Sequence, residues 1–418
     1  MRGLSVRGAR RLTSAGVLSR SVEHGEQAQR SNGGPLMCLA RQPVRNAGWQ
    51  LGREEQVRLK EKSRGRMDLL NNTLEGIKPA KNEPLAGQIR ARLDRLTKPP
   101  GSLGRLEEIA LQYGLARGKA NFPVPRKAMF VFCADHGVAA EGVSAYPPEV
   151  TRQMVKNFAG GGAAINVLCR QHDIDPVIVD MGVDHPLDDL EAVVSRKISR
   201  GTRNFLHETA MTRGQAIQCI ETGIHLALAA ARLEYGLLGT GEMGIGNSTA
   251  AAATLAAISG ADPDQVVGAG TGVSESQLQH KSDVVKRALR LHQPDPGDAI
   301  AVLAAVGGFE IGGIAGFVLG AASLGIPIVV DGFIASAGAL LAIRQSAAVK
   351  DYLIFSHHSA ERGHQALLRF LDVRPLLDLD MRLGEGTGAA LGMGLVDSAI
   401  RLYNEMATFD GAGVSGKA

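Results

Sequence analysis

Short apolar runs that alternate with longer helical segments constrain the fold of this chain more than any other feature. Residues 128–134 are apolar throughout, as in a strand that is buried on both faces of a sheet. Four further, largely apolar runs follow at residues 176–181, 235–238, 326–330 and 352–355. Helical patterns lie between the runs, at residues 149–170, 213–234 and 309–323. This alternation predicts an α/β fold with a mostly parallel, doubly wound sheet.

Each predicted strand is followed by glycine or polar residues that could contact a ligand. These loops are residues 135–137, 182–184, 239–244, 331–333 and 356–359. In open α/β sheets, ligands bind in the crevice at the carboxyl ends of the strands. Turns of this kind are often polar without binding anything, but five together favour a site. We therefore expect the loops to converge on one crevice.

The amino-terminal residues differ in composition from the rest of the chain. Of 46 basic and 42 acidic residues in all, 14 and 5 lie in residues 1–66, which leaves 32 basic and 37 acidic residues elsewhere. The basic whole-chain charge is therefore no sign that the folded body binds nucleic acid. Residues 1–66 have the composition of a transit peptide or a disordered tail. The interpretation we favour is upstream sequence included through a misplaced start codon.

The main body divides further by pattern. Two helices, separated by a Pro- and Gly-rich turn at residues 98–104, are predicted between residues 84 and 116. We predict a helical segment, an α/β domain, a carboxylate loop with a C-terminal helix, and a flexible tail, at residues 67–125, 126–375, 376–410 and 411–418.

Cysteine spacing bears on the redox environment of the protein. Cys38, Cys133, Cys169 and Cys219 form no C-x-x-C pair. This spacing argues against a compact zinc ribbon and fits reduced thiols in a cytoplasmic protein. Cys133 and Cys169 lie in apolar runs, so we expect both to be buried.

One uncharged segment, residues 311–330, is long enough to span a bilayer. Its glycines at 312, 316 and 320 also follow the G-x-x-x-G spacing of membrane helices. However, Pro327 divides the segment into a helix and a strand. We therefore predict a closely packed internal helix instead of a membrane span.

Residues 239–244 match the G-x-G-x-x-G pattern of dinucleotide-binding loops. The following helix should begin later, capped by Asn247 or Ser248. The acid that would bind the ribose is missing from its usual place, because Asp262 and Asp264 flank a proline in a turn. We interpret the loop as a phosphate or nucleotide cradle. An NAD(P)-dependent oxidoreductase and a non-catalytic nucleotide-binding module remain alternatives.

Other candidate residues give weaker signals. Lys281 follows a flexible loop at residues 268–272 and could bind phosphate, although alone it is more typical of a surface lysine. His357 and His358 are adjacent, and adjacent side chains rarely bind one ion, so we predict a binding loop and no metal site. Residues 135–136 could form an acid/base pair, but neighbouring side chains point apart, which fits a loop-structuring role equally well.

A carboxylate, Glu385, lies among glycines at residues 382–388. Glycine lets the backbone approach a ligand closely or adopt a positive φ. The segment could therefore present Glu385 at a crowded surface. Considered alone, the stretch fits a solvated turn equally well.

Six stretches run through most of residues 67–406, at residues 96–104, 133–138, 241–247, 330–333, 356–361 and 382–388. In this combination and order they resemble the family of nicotinate-nucleotide–dimethylbenzimidazole phosphoribosyltransferases. Residues 1–66 fall outside the resemblance. It implies a Rossmann-like α/β domain, a smaller helical domain built from both ends of the main body, and a homodimer.

The resemblance implies transfer of phosphoribose from nicotinate mononucleotide to 5,6-dimethylbenzimidazole, giving α-ribazole 5'-phosphate and nicotinate. This chemistry requires no metal or redox cofactor. Glu385 is implied as the general base. The nucleotide and its phosphate are implied to be held by Glu242, Gly244, Gly270, Lys281, Asp331 and Ser359.

The pocket for the aromatic base is implied to include Leu383. Tyr146 and Met154 stand where other family members carry small or amide polar side chains that contact the benzimidazole. This difference leaves the preferred base open.

Overall fold

The structure, a computed structural model, describes residues 68–415 except Thr271 and Val273. The predictions for residues 1–66, and part of the predicted tail at 411–418, lie outside the described residues.

A parallel six-stranded sheet forms the centre of the fold, in the order β3-β2-β1-β4-β5-β6. Its strands are β1 (Arg126–Ala134), β2 (Ile174–Gly182), β3 (Val193–Ser195), β4 (Tyr235–Met243), β5 (Ile328–Val330) and β6 (Leu353–Phe355). Two short strands, β7 (His357–His358) and β8 (Leu377–Asp378), form a second parallel pair. The predicted α/β class and parallel sheet are confirmed, although β3 was not predicted.

The strand order reverses direction between β1 and β4. Connections from β1 lead outwards through β2 to β3, whereas β4 begins the second half of the sheet on the other side of β1. Such a reversal opens a crevice at the carboxyl ends of the two strands. Asp135 follows β1 and Gly244 follows β4, so both lie at this switch point.

Helices cover the sheet and fill the connections. The first eight are α1 (Asp68–Gly76), α2 (Glu83–Arg95), α3 (Arg105–Arg117), α4 (Glu149–Ala159), α5 (Ala164–Gln171), α6 (Arg213–Arg232), α7 (Asn247–Ser259) and α8 (Pro263–Val266). The others are α9 (Glu275–His292), α10 (Ala299–Val306), α11 (Phe309–Ser323), α12 (Phe333–Gln345), α13 (Arg362–Leu371), α14 (Thr387–Glu405) and α15 (Phe409–Ala412). Short 3-10 helices span Gly137–Glu141 and Ala347–Tyr352.

The single helix predicted at residues 149–170 is wrong, because α4 and α5 are separate. Three consecutive glycines, residues 160–162, interrupt it, and Gly161 has a φ of +78°. A residue in this left-handed region cannot continue a right-handed helix.

The glycine stripe of α11 packs against α6. A Cβ on Gly316 would overlap the carbonyl oxygen of Ile220, and one on Gly320 would lie 2.8 Å from the Cβ of Ala227. The stripe therefore lets two helix backbones approach each other, as predicted. In the part of the chain that the structure describes, no helix is long and apolar enough to cross a membrane.

The two ends of the described chain meet at α14. Arg92 Nε on α2 donates a hydrogen bond of 2.8 Å to the carbonyl oxygen of Tyr403. The Tyr403 ring stacks on Phe122 with 4.8 Å between centroids, and its hydroxyl donates to the carbonyl oxygen of Ala120. These contacts fix the C-terminal end of α14 relative to α2 and to the segment that follows α3.

Candidate active site

The switch-point turn, residues 244–246, connects β4 to α7. The predicted loop at 239–244 is wrong for most of its length, because β4 continues to Met243. The helix begins at Asn247 with Gly246 as its N-cap, at a φ of +96°, and no side chain caps it. A Cβ on Gly244 would overlap the carbonyl oxygen of Ala134, so only glycine allows the turn to lie against the end of β1.

Gly239 and Gly241 serve packing within the sheet. A Cβ on Gly239 would lie 2.5 Å from Met129 Cε, and one on Gly241 would overlap the backbone carbonyl of Glu385. The loop that carries Glu385 therefore lies directly on β4. Gly239 and Gly241 therefore lie in a strand and form no phosphate-binding turn, which disfavours the alternative of an NAD(P)-dependent oxidoreductase that uses them.

Glu242 lies near the end of β4, and its side chain is almost fully buried. Asn247 Nδ2 donates a hydrogen bond to Glu242 Oε2. Burial, followed by the negative charges of Asp331 and Glu310, raises the pKa of Glu242 from 4.5 to about 8. Burial and its acidic neighbours therefore favour the protonated form of this carboxyl group.

Glu385 is presented by three consecutive residues with positive φ. The angles are +83° at Gly384, +63° at Glu385 and +100° at Gly386. A non-glycine residue in this region is strained, and such strain is typical of functional sites. Glu385 is only 6% exposed, and its Oε2 accepts a hydrogen bond of 3.3 Å from the backbone N–H of Ile165. Burial raises its pKa, and this hydrogen bond partly opposes the shift. The solvated-turn interpretation is therefore wrong.

Asp331 fixes this loop from the end of β5. Its Oδ2 accepts from the N–H of Gly386 at 3.1 Å and its Oδ1 from the N–H of Ala389 at 3.0 Å. Both donors lie at the N-terminus of α14, where a carboxylate is favourable. Burial raises the pKa of Asp331, while the neighbouring His357 and these backbone N–H groups oppose the shift. Asp331 thus anchors the segment that carries Glu385.

Lys281 is buried in α9, so the surface-lysine interpretation is wrong. Its Nζ donates to Ser248 Oγ at 2.9 Å and to the carbonyl oxygen of Gly268 at 3.2 Å. A Cβ on Gly270 would lie 2.9 Å from the same Nζ. Burial lowers the pKa of Lys281 to about 8, and the charge of Glu361 opposes the shift. An ammonium group is therefore held next to the first turn of α7.

Ser359 is also buried, in the loop between β7 and α13. Its Oγ accepts from the N–H of Glu361 at 3.3 Å, and its own N–H donates to His364 Nδ1 at 3.1 Å. His357 Nδ1 lies 2.9 Å from Ser356 Oγ. Among the residues that the structure describes, no group of three or more His, Cys, Asp or Glu side chains could hold a metal ion.

Comparison with known proteins identifies the family. A family model described as "Phosphoribosyltransferase" matches residues 77–414. A curated relative from Pelodictyon phaeoclathratiforme (strain DSM 5477 / BU-1), named nicotinate-nucleotide–dimethylbenzimidazole phosphoribosyltransferase, is 52% identical over 344 residues, which are 82% of this chain and 97% of the relative. The chain belongs to this phosphoribosyltransferase family. A relative of the same name from Geobacter sp. (strain M21) is 49% identical over 84% of this chain and 100% of its own length.

Solved structures agree with this assignment. The crystal structure of CobT from Thermus thermophilus is 46% identical and superposes with a TM-score of 0.76, over 80% of this chain and all of that chain. The α/β fold is thus shared within the phosphoribosyltransferase family. The protein is accordingly a pentosyl-transferring enzyme.

The three predicted base-pocket residues of this phosphoribosyltransferase differ in exposure. Tyr146 is 55% exposed and Leu383 is 60% exposed, the latter two residues before Glu385. Met154 is half-buried on α4 and packs against the core that includes Ile165. Their role in base binding stays a prediction.

Two residues of the site were not predicted to act there. Asn247 was expected only as a possible cap, but its side chain binds Glu242. Glu310, which directly precedes the uncharged segment at residues 311–330, is fully buried, and its Oε1 lies 2.7 Å from His136 Nε2. Asp135 instead accepts from the N–H of Asp184 at 2.8 Å, so the side chains of residues 135 and 136 take different partners.

Proposed function

We propose that this enzyme transfers phosphoribose from nicotinate mononucleotide to 5,6-dimethylbenzimidazole or a related aromatic base. The products are nicotinate and α-ribazole 5'-phosphate, a precursor of the cobalamin lower ligand. The names of the relatives support the substrates. The observation that carries the proposal is Glu385, a buried carboxylate held in a strained loop at the switch-point crevice.

Glu385 is the general base in this proposal. An incoming benzimidazole must lose its N–H proton as its other nitrogen attacks the anomeric carbon. A carboxylate with a raised pKa is a stronger base, and the hydrogen bond from Ile165 favours the ionised form that must accept the proton. General-base catalysis by one positioned group contributes roughly a hundred- to ten-thousandfold.

The leaving group needs no acid. The pyridinium nitrogen of nicotinate mononucleotide is cationic while glycosylated, so it departs as a neutral pyridine. Direct attack from the opposite face inverts the β-nucleotide to an α-product. Positive charge develops on the ribose meanwhile. The Asp331 carboxyl group and the carbonyl dipole of the protonated Glu242 carboxyl group can both stabilise this charge.

The phosphate of the nucleotide is assigned to the first turn of α7 and its surroundings. Lys281 places an ammonium group beside Ser248. Gly244 lets the turn before α7 lie against the end of β1, and the backbone at Gly270 lies close to the Lys281 ammonium group. A helix N-terminus with a neighbouring cation is a favourable phosphate site. Ser359 completes the predicted set, and the N–H of Glu361, whose charge acts on Lys281, donates to its Oγ.

Base selection is assigned to Tyr146, Met154 and Leu383. Exposed aromatic and aliphatic side chains can cover a planar base and exclude water from it. We also propose a homodimer in the cytoplasm, and a smaller helical domain formed by residues 67–125 and 376–410. The contacts of Arg92 with Tyr403 support that last assignment.

The test is a product assay with nicotinate mononucleotide and a panel of benzimidazoles and purines. We expect nicotinate release and an α-configured riboside phosphate by NMR. Glu385→Gln should lower turnover at least a hundredfold and leave nucleotide binding intact, since a glutamine oxygen can still accept from Ile165. The matched control is Glu75→Gln, on the exposed surface of α1. A β-configured product, or no product with any base, would refute the proposed reaction, and a near-normal Glu385→Gln rate would remove the base assignment.

A further inference from the structure

A buried pair of side chains lies beneath the switch-point turn and has no part in the proposed reaction. His136 follows β1, and Glu310 lies in the first turn of α11. His136 Nε2 and Glu310 Oε1 are 2.7 Å apart, and neither side chain has exposed surface. A histidine with its proton on Nε2 therefore donates to the Glu310 carboxylate.

In the part of the chain that the structure describes, each side chain of the pair has one polar atom without a hydrogen bond. Within the described residues, neither His136 Nδ1 nor Glu310 Oε2 has a hydrogen-bond partner. A Cβ on Gly308 would lie 2.6 Å from Glu310 Oε2, so the surroundings are tightly filled. Burying charged groups with unmet hydrogen bonds is costly, and a hydrophobic pair of similar volume often gives equal or greater stability. Stability alone does not account for this pair.

Two links connect the pair to the site. The first is packing, since a Cβ on Gly244 would lie 3.4 Å from His136 Cδ2 and one on Gly246 3.2 Å from His136 Cβ. The second is electrostatic, because the charge of Glu310 contributes to the raised pKa of Glu242.

We propose that Glu310 is a positioning residue, which supports the switch-point turn through His136 and acts through its charge on Glu242. This inference rests on the proposed function, in which the turn and Glu242 belong to the nucleotide site. The Glu310 charge helps Glu242 to keep its proton in the free enzyme. A cationic pyridinium ring then neutralises the excess negative charge of the site on binding.

Other groups also act on the two carboxylates. Those that face Glu242 from other elements are Cys133, Asn247, Asp331 and Glu385. Those that interact with Glu310 are His136, Cys133, Cys219 and Glu242. Of the three described carboxylates whose charges act on Glu242, Asp331 and Glu385 belong to the anchored loop or hold it. Glu310 can therefore be replaced without removing the hydrogen bonds by which Asp331 anchors that loop.

The experiment compares the pH profile of kcat/KM for the wild type, Glu310→Gln and Glu310→Asp. Glutamine keeps the shape and the contact with His136 but removes the charge, whereas aspartate keeps the charge. We expect the limb assigned to Glu242, near pH 8 in the wild type, to move down by on the order of half a pH unit in Glu310→Gln and to stay in place in Glu310→Asp. In Glu310→Gln, kcat/KM should also fall on the order of tenfold.

A limb that does not move in Glu310→Gln, or that moves equally in both variants, would overturn the inference, even if thermal stability changes. Titration of the Glu242 carboxyl by NMR of the ¹³C-labelled enzyme, assigned with Glu242→Gln, gives the same readout without turnover. A wild type that releases no nicotinate therefore refutes the proposed function and leaves this test intact.

If Glu310→Gln does not fold, His136→Gln replaces it in the experiment. It should raise KM for the nucleotide several-fold, and an unchanged KM would contradict the link through the turn.

Discussion

Replacing Glu242 with glutamine should change how the stability of the enzyme depends on pH. Burial raises the pKa of this carboxyl from 4.5 to about 8. The folded protein therefore retains a proton that the unfolded chain releases above pH 4.5. The stability that this proton contributes is fully present below pH 4.5, and it is lost as pH rises towards 8, at about 1.4 kcal/mol per pH unit. Over the whole interval the loss is about 5 kcal/mol.

Urea denaturation at pH 5 to 9 measures this effect. Glu242→Gln cannot ionise, so its free energy of unfolding should gain on the wild type by about 4 kcal/mol between pH 5 and 8, and the difference should level off above pH 8. Glu75→Gln, on the exposed surface of α1, is the matched control and should follow the wild type throughout.

A difference between Glu242→Gln and wild type that stays constant from pH 5 to 8 would refute the reasoning. It would mean that Glu242 ionises in the folded protein as it does in water. In that case neither burial nor the charges of Asp331 and Glu310 would raise the pKa of the Glu242 carboxyl group.

Three further predictions concern the phosphate site and the glycines. Because the pKa of Lys281 is about 8, ribose 5-phosphate affinity should fall as pH rises through 8, and calorimetry on Lys281→Gln should find that dependence largely removed. In Gly384→Ala, the new Cβ would overlap Glu242 Oε1 at a φ of +83°, so nicotinate release should fall at least tenfold, with a loss of about 1–3 kcal/mol in the free energy of unfolding. Gly316→Ala should lower the free energy of unfolding by at least about 2 kcal/mol in a denaturation experiment, because α6 and α11 must separate. The control is Gly87→Ala in α2, where a new Cβ would meet nothing within 4 Å, and it should raise the free energy of unfolding by about 0.5–1 kcal/mol.

The sheet could be predicted from the sequence because its signals are local. A buried parallel strand is apolar on both faces, so the run before Asp135 is recognisable from its own residues. In open α/β sheets, ligands bind at the carboxyl ends of the strands. Asp331 and Ser359 were therefore recognisable as candidates, because both lie in loops that follow a predicted strand. The strand order and the short β3 depend on pairing between distant segments, and composition does not encode them.

The glycines of β4 show where local patterns fail. Gly239 and Gly241 match a loop motif, yet they lie in a strand. These positions are glycine because Met129 and the backbone of Glu385 occupy the space that larger side chains would need. Those neighbours come from distant parts of the sequence. Lys281 was misjudged for the same reason, since the residues that bury it lie on other segments.

The arrangement of carboxyl groups limits what the crevice can bind. Glu242, Asp331 and Glu385 are all buried, and burial raises the pKa of each. Collecting acids in a buried site is unfavourable without a compensating positive charge, since each added negative charge opposes ionisation of the others. A bound cation removes that opposition, because its positive charge stabilises the ionised carboxylates. The stabilisation is greatest when the positive charge of the ligand is localised next to the carboxylates. A pyridinium nucleotide, and the ribose cation that forms as its ring departs, both meet this condition. For the phosphate, the cation that we propose is Lys281, whose Nζ lies 2.9 Å from Ser248 Oγ. In the reaction that we propose, the two charges of one substrate are therefore held by different parts of the site, which favours a cationic nucleotide over a neutral one as the donor.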